Sequence, residues 1–136
     1  MAELHMLSHK LQDLQYFNKL EAAGQVQLEN NFSCSVKYNQ DNTRCMAKLY
    51  QCVKDKTDSP DHRFFVSVEV AGIFEVTGTL TDEDKRDFHV MCYHQLFPYG
   101  ETLVKQVCAA GGMPGFVLLR QRMSRDNVAV NHKDGN

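Results

Sequence analysis

The side chains best suited to chemistry cluster at one place, His89-Val90-Met91-Cys92-Tyr93-His94. A thiol and two imidazoles could ligate a metal, or pair as a nucleophile with its base. On a helix, His89 and Cys92 are three apart and share a face, while His94 points elsewhere. A zinc site would need further ligands, and no second cluster supplies them. The other cysteines, Cys34, Cys45, Cys52 and Cys108, bring the total to five, with no C-x-x-C pair. An odd set of thiols among apolar residues reads as small, reduced core side chains. Gly111-Gly112 is followed by neither a helix nor a Lys-Ser/Thr pair, so it is no phosphate loop. Carboxylates gather at turns and at a helix start, where solvation and capping explain them. An enzyme using Cys92 with His89 or His94 is therefore the weakest of three functional readings, because no local signature singles out a thiol. No catalytic residue, metal or cofactor is expected.

The bounds agree. One chain of 136 residues with 43% hydrophobic and 24% charged side chains has the make-up of a single folded domain, 1–136. A net charge of -2 offers no basic footprint for nucleic acid. No apolar run approaches the roughly 20 residues that cross a bilayer, so membrane insertion is not expected. Met1-Ala2-Glu3-Leu4-His5 lacks a charged-then-apolar signal, which places the protein in the cytoplasm by expectation.

Periodicity supplies the elements that must position any site. Leu4, Leu7, Leu11 and Leu14, continued by Phe17 and Leu20, have the three-and-four spacing of an amphipathic helix ending before Gly24. Tyr16-Phe17 would suit a strand equally well. From Gln25 the period becomes two: Val26, Leu28, Phe32, Cys34, Val36 and Tyr38 share one parity, as in a half-buried strand. Asn39-Gln40-Asp41-Asn42 is a turn by composition. Cys45, Ala47, Leu49 and Val53 line a second strand, and 54–62 reads as a loop. A third strand over Arg63 to Ala71 sets Phe64, Val66, Val68 and Val70 against Phe65, Ser67 and Glu69. Gly72 interrupts it, and a short strand resumes at Ile73. Thr81-Asp82-Glu83-Asp84 opens a helix carrying Phe88, Met91, Cys92, Leu96 and Tyr99, then Leu103, Val104, Val107 and Cys108. Pro98 should kink or break that helix, and Gly111-Gly112 should end it. Met113 to Leu119 is a short apolar segment, and 121–136 should be a frayed polar tail.

One sheet and one helix leave more apolar and aromatic surface than a monomer of this size can cover, which implies a partner. Phe97, Pro98, Tyr99, Met113, Phe116 and Val117, with Phe74 beneath, are the candidate binding groove. Core packing is the plainer reading of the same residues. Val66, Val68 and Val70, together with the apolar face of the 82–110 helix, are the candidate interface between copies of the chain.

Two motifs carry a family likeness. Gly72-Ile73-Phe74 at a strand end resembles the Gly-Ile-Phe of the SecB chaperones, and Leu96-Phe97-Pro98-Tyr99 resembles their Leu-Phe-Pro-Tyr in the first long helix. Gly111 and Pro114 match the family's Gly-x-x-Pro at the helix exit, so the likeness is ungapped from Leu96 to Phe116. The resemblance implies an α+β fold: a four-stranded antiparallel sheet with a long Pro-kinked helix packed on one face. It also implies dimers of dimers that hold unfolded polypeptides or preproteins for the SecA translocase, or serve toxin–antitoxin systems. It would place 11–20 in a first strand, against the helical count.

The chain departs from the pattern in three places. Gly100, Glu101 and Thr102 replace the usual small residue, Arg and Glu. Ser67, between Phe65 and Glu69 on the outer sheet face, stands where SecA-dependent members carry a glutamate. No second amphipathic helix is legible in 124–136. The resemblance therefore supports client holding without ATP better than it supports SecA docking. A dedicated adaptor for one partner, such as an antitoxin, is the alternative reading.

Overall fold

The computed structural model describes residues 2–21, 26–113 and 115–120. In chain order the elements are β1 (Glu3–Asn18), β2 (Leu28–Tyr38), β3 (Arg44–Asp55), β4 (Phe64–Thr77) and α1 (Asp82–Ala110). The strands form one antiparallel sheet in the order β1-β4-β3-β2, and α1 packs on one of its faces.

β1 corrects the helical reading of 4–20, and its register explains the error. Leu4, Met6, His9, Leu11, Leu14 and Tyr16 lie opposite Val76, Phe74, Gly72, Val70, Val68 and Val66, so all six stand on the α1 side of the sheet. Register shifts between Met6 and Ser8 and between Leu11 and Asp13 each insert a residue. Each insertion flips the parity of the residues beyond it. The α1-side positions thereby fall at 4, 6, 9, 11, 14 and 16, and with Leu7 at the first insertion the leucines at 4, 7, 11 and 14 imitate a helical stripe.

β2 and β3 keep to simple alternation. Tyr38, Val36 and Cys34 pair with Cys45, Ala47 and Leu49 on the α1 side. Their turn is fixed by Asn39, whose Oδ1 accepts from the backbone N–H of Thr43 and of Arg44, both at 2.9 Å. Gly72 does not end a strand: β4 runs unbroken from Phe64 to Thr77. The glycine admits the helix instead. A Cβ at 72 would lie 2.9 Å from Leu96 Cδ2 and 2.9 Å from Phe74 Cε1.

α1 begins where its sequence says it should. Thr81 Oγ1 accepts from the Asp84 N–H at 3.1 Å, and Asp84 Oδ2 accepts from the Thr81 N–H at 3.0 Å, a reciprocal capping box. The helix continues through Pro98 as one element of 29 residues. It ends in a Schellman arrangement, with the Met113 N–H donating to Cys108 O at 2.7 Å and Gly112 left-handed at φ 96. Gly111 is needed for a different reason, because a Cβ there would run into the ring of Tyr16. The core lies between sheet and helix: Leu49, Val53, Phe64, Val66, Val68, Val70 and Phe74 face Phe88, Cys92, Tyr93, Leu96, Phe97, Val104 and Cys108. The frayed tail expected over 121–136 lies outside the described residues.

Candidate functional site

α1 sits close over β4. Leu96 packs at Gly72, and Gly100 is so near that a Cβ there would lie 3.3 Å from Val68 Cγ1 and 3.2 Å from Gln51 Oε1. This tight contact leaves the two flanks of the helix to be filled by other means. On the β1 flank they are filled only in part. Leu11 and Tyr99 stay 44% and 38% exposed, and the His9 ring stacks on Tyr99 with centroids 3.6 Å apart; Leu7, at the first register shift of β1, is 45% exposed. The result is an aromatic and aliphatic patch at the β1–α1 edge, open to solvent.

The flank carrying Tyr93, His94 and Phe97 is covered by the chain's own residues 115–120. Phe116 reaches Phe64 with ring centroids 5.8 Å apart, and Leu118 is 4% exposed. The Arg120 guanidinium lies 4.6 Å over the Phe97 ring, with Nη1 3.4 Å from His94 Nδ1. Val117 and Leu119 between them face solvent. The alternation is that of an unpaired apolar strand laid along a helix.

The candidate groove residues therefore divide. Phe74 and Phe97 are core, and Met113 and Phe116 are half-buried against it. Pro98, Tyr99 and Val117 are exposed. Leu7, His9 and Leu11 escape a reading of the sequence that makes 4–20 a helix, although the Tyr16-Phe17 strand signal pointed the other way. Leu118 and Arg120 also go unmarked, since nothing in the sequence says that 115–120 folds back. Val66, Val68 and Val70 are almost wholly covered by α1 of their own chain, so a second copy would meet the helix rather than this ridge. Phe65, Ser67 and Glu69 stand on the opposite sheet face, with Phe17 stacked on Phe65 and Ser67 buried.

The thiol-imidazole cluster is not arranged for nucleophilic chemistry. Cys92 is fully buried, and its hydrogen bond to Cys45, reinforced by burial, holds the thiol far above its ordinary pKa. Burial alone pushes Cys34 up to about 12. His89 is held below its ordinary value by burial, while His94 turns to Tyr93 and Arg120 on another flank. A thiol must ionise to attack, and Cys92 and Cys34 are held against ionisation, although the Cys92 hydrogen bond holds the buried Cys45 below its ordinary value. Among the described residues no group of three His, Cys, Asp or Glu stands close enough to hold a metal. No helix among them is long and apolar enough to cross a membrane.

A family model for the preprotein translocase subunit SecB matches residues 5–121. The chain belongs to the SecB family. No curated protein matches it in sequence. Among solved structures, the SecB-like chaperone Rv1957 of Mycobacterium tuberculosis, in complex with a ChAD peptide from the Rv1956 HigA1 antitoxin, superposes with a TM-score of 0.69. It is 14% identical, and the match covers 88% of this chain and 93% of that one. At that identity the likeness speaks for the fold. In this SecB-family chain Gly72 and Leu96 form one packing unit, the strand glycine making room for the helix leucine. Its Leu-Phe-Pro-Tyr run contributes two buried side chains, Leu96 and Phe97, and two exposed ones, Pro98 and Tyr99.

Proposed function

We propose that this SecB-family chain is an ATP-independent holdase that binds unfolded or non-native polypeptides in the cytoplasm, in protein export or a related role. The carrying observation is the exposed apolar edge between β1 and α1, where Leu11 and Tyr99 remain uncovered and His9 stacks on Tyr99. An extended client segment laid there buries apolar surface worth roughly 25 cal/mol per Å². Such contacts are additive and undemanding of sequence, which suits varied clients. The covered flank supports the same reading, since residues 115–120 already rest on α1 in the manner required of a client. With no nucleotide motif in the sequence, release would come by hand-over or competition. Ser67 is a poor substitute for a carboxylate facing a cationic partner, which argues against strong SecA docking.

A dedicated adaptor is the second reading, favoured by the structural neighbour's complex with an antitoxin peptide. Aggregation assays with several unrelated denatured proteins separate the two. A holdase protects most of them, an adaptor one or none. The site is tested with Leu11→Ala combined with Tyr99→Ala, which should abolish protection while the melting temperature barely moves. Phe97→Ala, by contrast, should cost about 3–5 kcal/mol of stability, because it truncates a buried ring. A folded Leu11→Ala/Tyr99→Ala chain that still protects every substrate sinks the assignment.

A further inference from the structure

The sheet face turned away from α1 carries a second surface, which meets the β1–α1 edge only at His9. Register aligns Lys37, Met46, Ile73 and Ser8 across the four strands, and one pair further along Ser35, Lys48, Ala71 and Lys10. Arg44 lies on the other side, opposite Glu75. Two shallow hollows of about 330 and 340 Å³ lie side by side here and share Met46 and Ile73. Lys10 and Lys48 border one, and Lys37 and Arg44 border the other. Met46 is 45% exposed at their junction.

Charge is segregated at this spot. The chain as a whole is at -2, yet four cations ring one apolar saddle, and among the described residues none of the four forms an ion pair. The nearest acids of this face stand in the flanking rows, Asp13 with Glu69 on one side and Glu75, across from Arg44, on the other; Glu3 and Glu29 lie further out. A second copy of the same patch would bring like charges together, so a symmetric self-contact is disfavoured. Nucleic acid is a poor fit as well: the centre is aliphatic, and the two rings bordering the hollows, Tyr38 and His9, are already engaged by Lys85 and Tyr99. What fits is carboxylate around an apolar anchor.

We propose that this surface docks a short acidic segment of a partner protein, with a large apolar side chain against Met46 and Ile73 and carboxylates against Lys10, Lys37, Arg44 and Lys48. It lies on the sheet face opposite α1, so the proposal and the holdase reading stand or fall separately. Exposed charge pairs act mainly through association rate and are screened by salt. The signature is therefore ionic-strength dependence together with an apolar requirement.

The test uses the full chain and a fluorescent peptide alternating Asp or Glu with Leu, read by anisotropy. Controls are the same peptide with Lys for every acid, and a single-stranded oligonucleotide. The acidic peptide should bind, and its affinity should fall about tenfold or more on going from low to physiological salt. Lys10→Glu combined with Lys37→Glu, both exposed positions, should weaken it about tenfold or more. Met46→Ala should weaken it without changing the salt dependence. Amide shifts should centre on 46 and 73, and protection of aggregating clients should be untouched in all variants. Binding of the lysine peptide or the oligonucleotide as tight as that of the acidic peptide would overturn the proposal. So would shifts centred on Tyr99, or indifference to both the charge reversal and Met46→Ala.

Discussion

Asp55, at the end of β3, ties down the loop that leads to β4 with a single carboxylate. Its Oδ1 accepts from the backbone N–H of Arg63 at 3.1 Å and of Phe64 at 3.2 Å, and His62 Nδ1 lies 3.1 Å away. Burial by itself would raise the carboxyl pKa, but the N–H groups of Phe64 and Arg63 and the His62 ring outweigh it and hold it below the usual value. The native carboxylate thus binds fewer protons than the unfolded one at low pH. Its stabilising contribution is complete above the unfolded pKa and is lost as pH falls toward the folded one. Asp55→Asn keeps an acceptor and removes the titration. The stability difference between wild type and Asp55→Asn, read from urea midpoints, should shrink from about pH 6 to about pH 3. A constant difference would show that the charge plays no part. Asp55→Ala, which strands the donors, should cost about 1–3 kcal/mol at neutral pH.

At the scale of elements, the decisive contact is Gly72 under Leu96. Gly72→Ala reduces the freedom of the unfolded chain, a gain of up to about 1 kcal/mol. It also drives a methyl to 2.9 Å from two side chains, Leu96 and Phe74, that are fully buried and cannot retreat into water. Overpacking of that kind costs about 1–3 kcal/mol, so the substitution should destabilise overall. Gly72→Ala should be less harmful in a Leu96→Ala background. Additive losses in that double-mutant cycle would mean that the two residues do not share the contact. The Gly-Ile-Phe and Leu-Phe-Pro-Tyr motifs were legible because both sit at this contact, where geometry admits few residues. The strands β2 and β3 were legible because each keeps one parity from end to end. β1 was not, since its two inserted residues break the parity that sequence reading depends on. With it went His9 and Leu11, the β1 side of the exposed edge. The fold-back of 115–120 left no periodic trace at all, because it rests on tertiary contacts to Phe64 and Phe97 rather than on local pattern.

At the scale of the molecule, the outer surface of α1 sets what the protomer leaves unfinished. The side of the helix turned from the sheet carries Met91 and Pro98 in the open, with Thr102 and Lys105 a turn or two further on. A 15.6 kDa chain with one helix on one sheet face has no further described element to lay over them. We expect copies of the chain to associate through this helix surface, as a dimer of dimers of about four protomer masses. The valine ridge makes the discriminating control. Val68 is fully buried under α1, so Val68→Asp places an unpaired charge in the core and should unfold the protomer itself. Met91 is 39% exposed, so Met91→Asp should leave the protomer folded and act only on association. Light scattering coupled to size exclusion should therefore show a multimer for the wild type, and for Met91→Asp a shift toward the protomer mass with an unchanged far-ultraviolet dichroism spectrum. A wild-type chain that scatters as a monomer at micromolar concentration would place the whole binding capacity in the single β1–α1 edge. Client protection should then be unaffected by Met91→Asp and lost with Leu11→Ala/Tyr99→Ala.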